Sequence, residues 1–198
     1  MSWLEALAAL FGLANILLIV RRSVWNFPAA LIMVTLTGIV LWDAKLYSDA
    51  GLQAFFFIVN ILGWALWARN RGEAGEIMVD RLGMLGRLVW ITLAMAATYG
   101  WGLFMALNTD ATNPWWDASV AMLSIAAQLL MTRRYIDNWH WWIVVNIISI
   151  GLYWQKQLYV FTGLYVIFLG MAVWGLVEWR RAEARQRAQA AETAQATA

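Results

Sequence analysis

The sequence predicts an all-α integral membrane protein with seven transmembrane helices in a parallel 3+1+3 repeat arrangement. The first of three observations behind this is composition: 63% of the 198 residues are hydrophobic and 13% are charged, too little charge to coat a soluble sphere of this size. The second is seven apolar runs, each near the ~20 residues needed to cross roughly 30 Å of hydrocarbon. The third is self-similarity. Shifting the chain by 112 residues superimposes Arg21-Arg22 on Arg133-Arg134, Asn26 on Asn138, Trp42 on Trp154, Gly63 on Gly175 and Trp67 on Trp179, with 14 identities over the 53 gap-free positions from Leu17 to Arg69. Apolar bias would produce Leu-on-Leu matches, but Arg pairs and Trp at one fixed offset mark a duplication, which in an apolar chain points to a transporter.

The runs fall at 3–20, 24–42, 52–68, 85–107, 116–132, 139–155 and 158–179. All read as helices, because a spanning segment satisfies its backbone internally and none shows the alternation of barrel strands. The first has the length of a signal peptide. It lacks a basic leading region, carries Glu5, and meets Arg21-Arg22 where small residues would mark a cleavage site, so it reads as a retained helix. With the next two runs it forms the first repeat, residues 1–69. Residues 70–114 comprise a Gly- and charge-rich linker and the joining helix. The fifth run has few residues to spare and the sixth contains Asn146 and Ser149. Residues 115–181 form the second repeat, and 182–198 an Ala-, Gln- and Arg-rich tail that reads as a solvated helix or frayed end.

Charge sets the orientation. Segments 21–23, 69–87, 133–138 and the residues after 179 hold 12 of the 14 Lys and Arg residues, and the opposite side holds only Lys45 and Lys156. The positive-inside rule makes the Arg-rich side cytoplasmic, with the N-terminus outside and the C-terminus inside. The sequence pI of about 9.2 thus reflects topology and gives no reason to invoke nucleic acid as a partner. Three spans per repeat and one joining span bring both copies into the membrane in the same direction, related by an axis along its normal.

Two helical faces carry polar and aromatic residues together. In the sixth run Trp139, Trp142, Asn146, Ser149 and Tyr153 follow offsets of 0, 3, 7, 10 and 14; in the third, Gln53, Phe56, Asn60, Trp64 and Trp67 follow 0, 3, 7, 11 and 14. Each set forms one stripe of an α-helix. Hydrocarbon offers amides no partner, so these faces are expected to point into the bundle or a wet cavity. Rings offer stacking surfaces for a flat heteroaromatic solute, and amides fix its orientation. The plainer roles are interfacial belt for Trp25, Trp115, Trp116, Trp139 and Trp179, interhelical bonding for Asn60 and Asn146, and close helix approach for Gly63, Gly170 and Gly175.

Absences narrow the chemistry. There is no Cys and one His, and no HExxH, GxSxG or Walker pattern, so an enzyme, a cofactor and a metal centre are not expected. Lys45 and Lys156 lie in loops, which excludes a buried retinal Schiff base. Glu5, Asp43, Asp49, Asp117 and Glu178 all lie near span ends, whereas ion-driven pumps place an ionisable group at the midplane. Facilitated diffusion by alternating access is the simplest mechanism.

The segment Leu52-Gln53 followed by Gly63-Trp64-Ala-Leu-Trp67, with Trp139-His-Trp-Trp142-Ile-Val-Val-Asn146, Tyr153, Leu158-Tyr159, Leu164-Tyr165 and Gly175-Leu-Val-Glu-Trp179, resembles the PnuC-type nicotinamide riboside transporter family over most of residues 5–181. The resemblance implies a fold similar to SWEET sugar transporters, a homotrimer in the bacterial inner membrane, and facilitated uptake of a vitamin precursor that a cytosolic kinase traps by phosphorylation. It implies binding positions at Gln53, Asn60, Trp64, Trp67, Trp139, Trp142, Asn146 and Tyr153, with the substrate ring against Trp142 or Trp64 and its polar edges on Asn146 and Gln53. Similar transporters carry thiamine or riboflavin, so those substrates stay open, as does a membrane assembly protein that transports nothing.

Overall fold

A computed structural model describes residues 3–43, 47–69, 77–109, 113–155, 157 and 159–196. Lys45, Lys156 and residues 70–76 of the expected linker lie outside these residues. The described chain forms α1 (Trp3–Val20), α2 (Asn26–Asp43), α3 (Tyr47–Arg69), α4 (Met84–Asn108), α5 (Pro114–Thr132), α6 (Asn138–Gln155) and α7 (Tyr159–Ala196). Each apolar run becomes one helix. α3 starts five residues before its run, because a search for apolar stretches passes over a polar first turn. Pro114 opens α5, where its missing N–H costs nothing.

α7 continues as one helix of 38 residues through the expected tail. No Gly or Pro follows Gly175, and Ala, Arg, Gln and Glu are good helix formers. Arg187 and Glu183 pair one turn apart at 2.6 Å.

Among the described residues, α1, α2, α3, α4 and α7 are long and apolar enough to cross a membrane by length and composition. α5 and α6 fall below that apolarity. α5 carries Asp117, Ser119, Ser124 and Gln128, and α6 carries His140, Asn146, Ser149 and a set of amphipathic Trp side chains.

Contacts divide the chain into two compact units, one of residues 1–78, 132–134 and 181–198, the other of 79–131 and 135–180. In the first, α2 packs against both α1 and α3. Gly63 lets Phe27 approach α3 so closely that a Cβ there would sit 2.6 Å from Phe27 Cε1. Phe27 in turn meets Trp67 edge-on at 5.2 Å and 90°. In the second unit the Trp139 ring covers Gly175 and meets Trp179 edge-on at 5.6 Å and 86°. Phe27 and Trp139, Gly63 and Gly175, and Trp67 and Trp179 are each 112 residues apart. Gly170 differs from the expected close approach, since a Cβ there would meet nothing within 4 Å.

The helix stops repeat as well. Arg22 (φ 55°) and Arg134 (φ 64°) adopt left-handed backbone, each two residues after the end of its helix, α1 and α5. After α1, the Ser23 N–H reaches Leu18 O and the Arg22 N–H reaches Ile19 O, each at 2.9 Å, closing a Schellman motif. After α5 the Tyr135 N–H makes the corresponding long bond to Leu130 O at 3.0 Å. Asn26 and Asn138 each donate Nδ2 three residues back, to Ser23 O at 2.6 Å and Tyr135 O at 2.7 Å.

Two contacts hold residues 77–80 of the charged connection before α4. Arg22 donates to Ile77 O at 3.1 Å, and Asp80 bridges Tyr135 in parallel, accepting the Ile136 N–H at 2.8 Å.

Candidate functional site

The α6 stripe lies largely on the buried side of its helix. Asn146, Ser149 and Trp139 are buried, and Trp142 and Tyr153 are half-buried. Mid-helix Asn competes with the backbone unless its amide finds a local partner. Asn146 Nδ2 donates to the Trp142 carbonyl one turn back at 2.8 Å. That bond fixes the amide plane and leaves Oδ1 as an acceptor for a donor from elsewhere. Trp139 Nε1 is a buried donor with no protein partner, a costly arrangement usually relieved by water or ligand. One face of α6 therefore presents an acceptor, a donor and ring surface.

On α3, Asn60 makes the equivalent bond to Phe56 O at 2.8 Å. Asn60 and Trp67 are buried, Gln53 is half-buried beside Gly38, and Trp64 is 39% exposed. The amides Asn60 and Asn146 thus each make a bond within their own helix. Trp67 and Trp139 each form the packed ring of a Gly-ring-ring contact in their own unit, and Trp64 and Trp142 are the more accessible rings of the two stripes.

The structure adds residues that the stripes did not contain. Tyr153 stacks on Phe161 at 5.4 Å and 26° and lies against Tyr165 at 5.2 Å and 33°, with Phe168 edge-on to Tyr165 at 5.7 Å. Phe161, Tyr165 and Phe168 follow offsets of 0, 4 and 7 on α7, a stripe legible in sequence but without an amide to draw notice.

A second constellation sits where α4 and α6 begin. The buried Asp137 carboxylate accepts Arg87 Nε at 2.8 Å and the Leu82 N–H at 2.9 Å. His140 Nε2 lies 3.1 Å from Arg180 Nη2. These residues border a cavity of about 520 Å³ with Arg81, Trp141 and apolar side chains of α4, α5 and α6. Sequence reasoning treated its arginines as topology signals and gave His140 no role. No group of three or more His, Cys, Asp or Glu among the described residues is placed to hold a metal.

Known proteins resemble the chain over most of its length. The family described as nicotinamide mononucleotide transporter matches residues 2–181. A nicotinamide riboside transporter PnuC of Escherichia coli is 30% identical, covering 90% of this chain and 85% of its own. The riboflavin/roseoflavin transporter RibM of Streptomyces davaonensis is 29% identical, covering 89% and 84%. A crystal structure of the vitamin B3 transporter PnuC superposes with a TM-score of 0.78 at 26% identity, covering 93% of this chain and 83% of that one. The match runs from the first helix to Arg181 and takes in both amide-bearing stripes, so this chain belongs to the nicotinamide mononucleotide transporter family.

Proposed function

We propose that this protein carries nicotinamide riboside across the bacterial inner membrane by facilitated diffusion. The observation that carries the reading is the α6 face. Asn146, held by its own helix with Oδ1 left to accept, sits one turn from Trp142 and two from the unpartnered Trp139 Nε1. A flat ring with a carboxamide edge and a ribose needs that combination of stacking surface, acceptor and donor. The PnuC relatives support the substrate. Gln53, Asn60, Trp64 and Trp67 on α3 are the binding groups of the first repeat, and Tyr153 extends those of the second.

All seven helices then span the membrane in the parallel 3+1+3 order. The lower apolarity of α5 and α6 suits helices that face the bundle interior rather than lipid. The Arg-rich ends are cytoplasmic, the N-terminus is outside, and the two repeats rock about the site. Without a midplane carboxylate to couple an ion, net uptake relies on phosphorylation of the solute by a cytosolic kinase. A homotrimer follows from the resemblance.

A second reading is riboflavin transport, favoured by the near-equal identity to RibM. Titrating purified protein with nicotinamide riboside, riboflavin and thiamine, and following Trp fluorescence with correction for ligand absorbance, separates the substrates. Saturable quenching by nicotinamide riboside alone is expected. Preference for another vitamin overturns the substrate, and no response to any of them overturns the vitamin-transporter reading.

A further inference from the structure

No residue of either stripe lines the cavity at the starts of α4 and α6, and its chemistry differs from theirs. Three guanidiniums border it, from Arg81, Arg87 and Arg180, against the single carboxylate of Asp137. That carboxylate meets Arg87 and the Leu82 N–H, and guanidiniums outnumber carboxylates among the described residues that line the rim. The starts of two helices add to this excess. α4 opens at Gly83 with no side-chain cap and no acidic residue in its first turn, and α6 opens at Asn138 with no acidic residue in its first turn. Both place the positive ends of their peptide dipoles beside this rim.

Below the rim the walls turn apolar. Arg87, Ile91, Ala94 and Met95 descend one side of α4 over about 12 Å, faced by Leu123 of α5 and Val144 of α6. Ile91 and Met95 remain exposed. A soluble phosphate would find the rim but have no use for this wall. A phospholipid uses both, with its phosphate on the guanidiniums and an acyl chain along α4.

We infer that this cavity is a binding site for an anionic phospholipid of the leaflet at the Arg-rich side of the membrane. Basic pockets between spanning helices at that boundary hold acidic headgroups, and guanidinium pairs phosphate oxygens in a planar, charge-assisted fork. The inference rests on the membrane reading above, though not on which vitamin is carried. Occupancy would tie the starts of α4 and α6 to α7 at Arg180.

The test is thermal unfolding of the purified full-length protein in neutral detergent, titrated with phosphatidylglycerol, with phosphatidylcholine of the same chains, with inorganic phosphate and with nicotinamide mononucleotide. Vitamin binding is measured in parallel. Phosphatidylglycerol should raise the unfolding temperature saturably, and phosphatidylcholine and free phosphate should not. The double variant R81Q/R180Q should weaken the apparent lipid affinity about tenfold, while R185Q, which removes an exposed charge from the tail, should leave it unchanged. Equal protection by both lipids overturns the inference, as does equal loss in R185Q. Protection by phosphate or the mononucleotide without phosphatidylglycerol overturns the lipid occupant. The wild-type titration decides the matter by itself if the double variant does not fold. A protein that binds the vitamin but shows no lipid preference loses this inference and keeps its function; the converse result does the reverse.

Discussion

The indole of Trp139 covers Gly175 and meets the indole of Trp179 edge-on, with centroids 5.6 Å apart. Phe27 stands in the same relation to Gly63 and Trp67, so a bare helix surface is required at both glycines. Gly63→Ala and Gly175→Ala should each destabilise the protein by about 1–3 kcal/mol through overpacking. Gly163→Ala, at a position with nothing within 4 Å, should be neutral. Unfolding midpoints of the three variants in one detergent check the contrast.

Trp64 and Trp67 lie on the same stripe of α3 yet should fail in different ways. Trp67 is fully buried, and Trp67→Ala should cost about 3–5 kcal/mol of stability. Trp64→Ala should leave the unfolding midpoint nearly unchanged and weaken vitamin binding. Measuring midpoint and dissociation constant on both variants separates packing from recognition.

Asn146→Ala removes a side-chain bond to a carbonyl that its own helix already engages, so folding should be little affected. Loss of the buried acceptor should lower uptake by about tenfold to hundredfold. Transport assayed in vesicles with matched protein content tests this, and unchanged uptake would reduce Asn146 to a helix-lining residue.

Asp137→Asn leaves Arg87 without its counter-charge and weakens the acceptor for the Leu82 N–H. The expected loss is about 1–2 kcal/mol, below the range for buried pairs because the Arg87 side chain is 41% exposed. Rising salt should narrow the gap between wild type and variant.

The absence of Cys from the sequence makes topology directly measurable. Lys45→Cys should react with an impermeant maleimide in intact cells, and Ala190→Cys only after permeabilisation. The opposite pattern would invert the orientation.

The seven helices and the matching Gly–ring–ring contacts 112 residues apart were legible because both are written in residue type. Lipid demands long apolar runs, and Arg, Trp and Gly held at one offset stand out from an apolar background. The faces of α3 and α6 were legible because an amide on an apolar helix is conspicuous. The Asp137 constellation was not, since its contacts join Leu82 and Arg87 to Asp137 and Arg180 to His140 across forty residues or more, and only folding brings such charges together. Tyr165 escaped for another reason: its stripe on α7 is wholly aromatic and merges with the apolar background. The length of α7 was half visible, as composition favoured a helix in the tail but could not tell continuation from fraying.

Arg22 and Arg134 hold a backbone conformation that glycine adopts freely and that costs other residues roughly 1–2 kcal/mol. The two copies have diverged at most of their aligned positions, yet neither has relieved that strain by dropping its second arginine. Both turns thus keep a guanidinium at the corner in place of the relaxed backbone that glycine would allow.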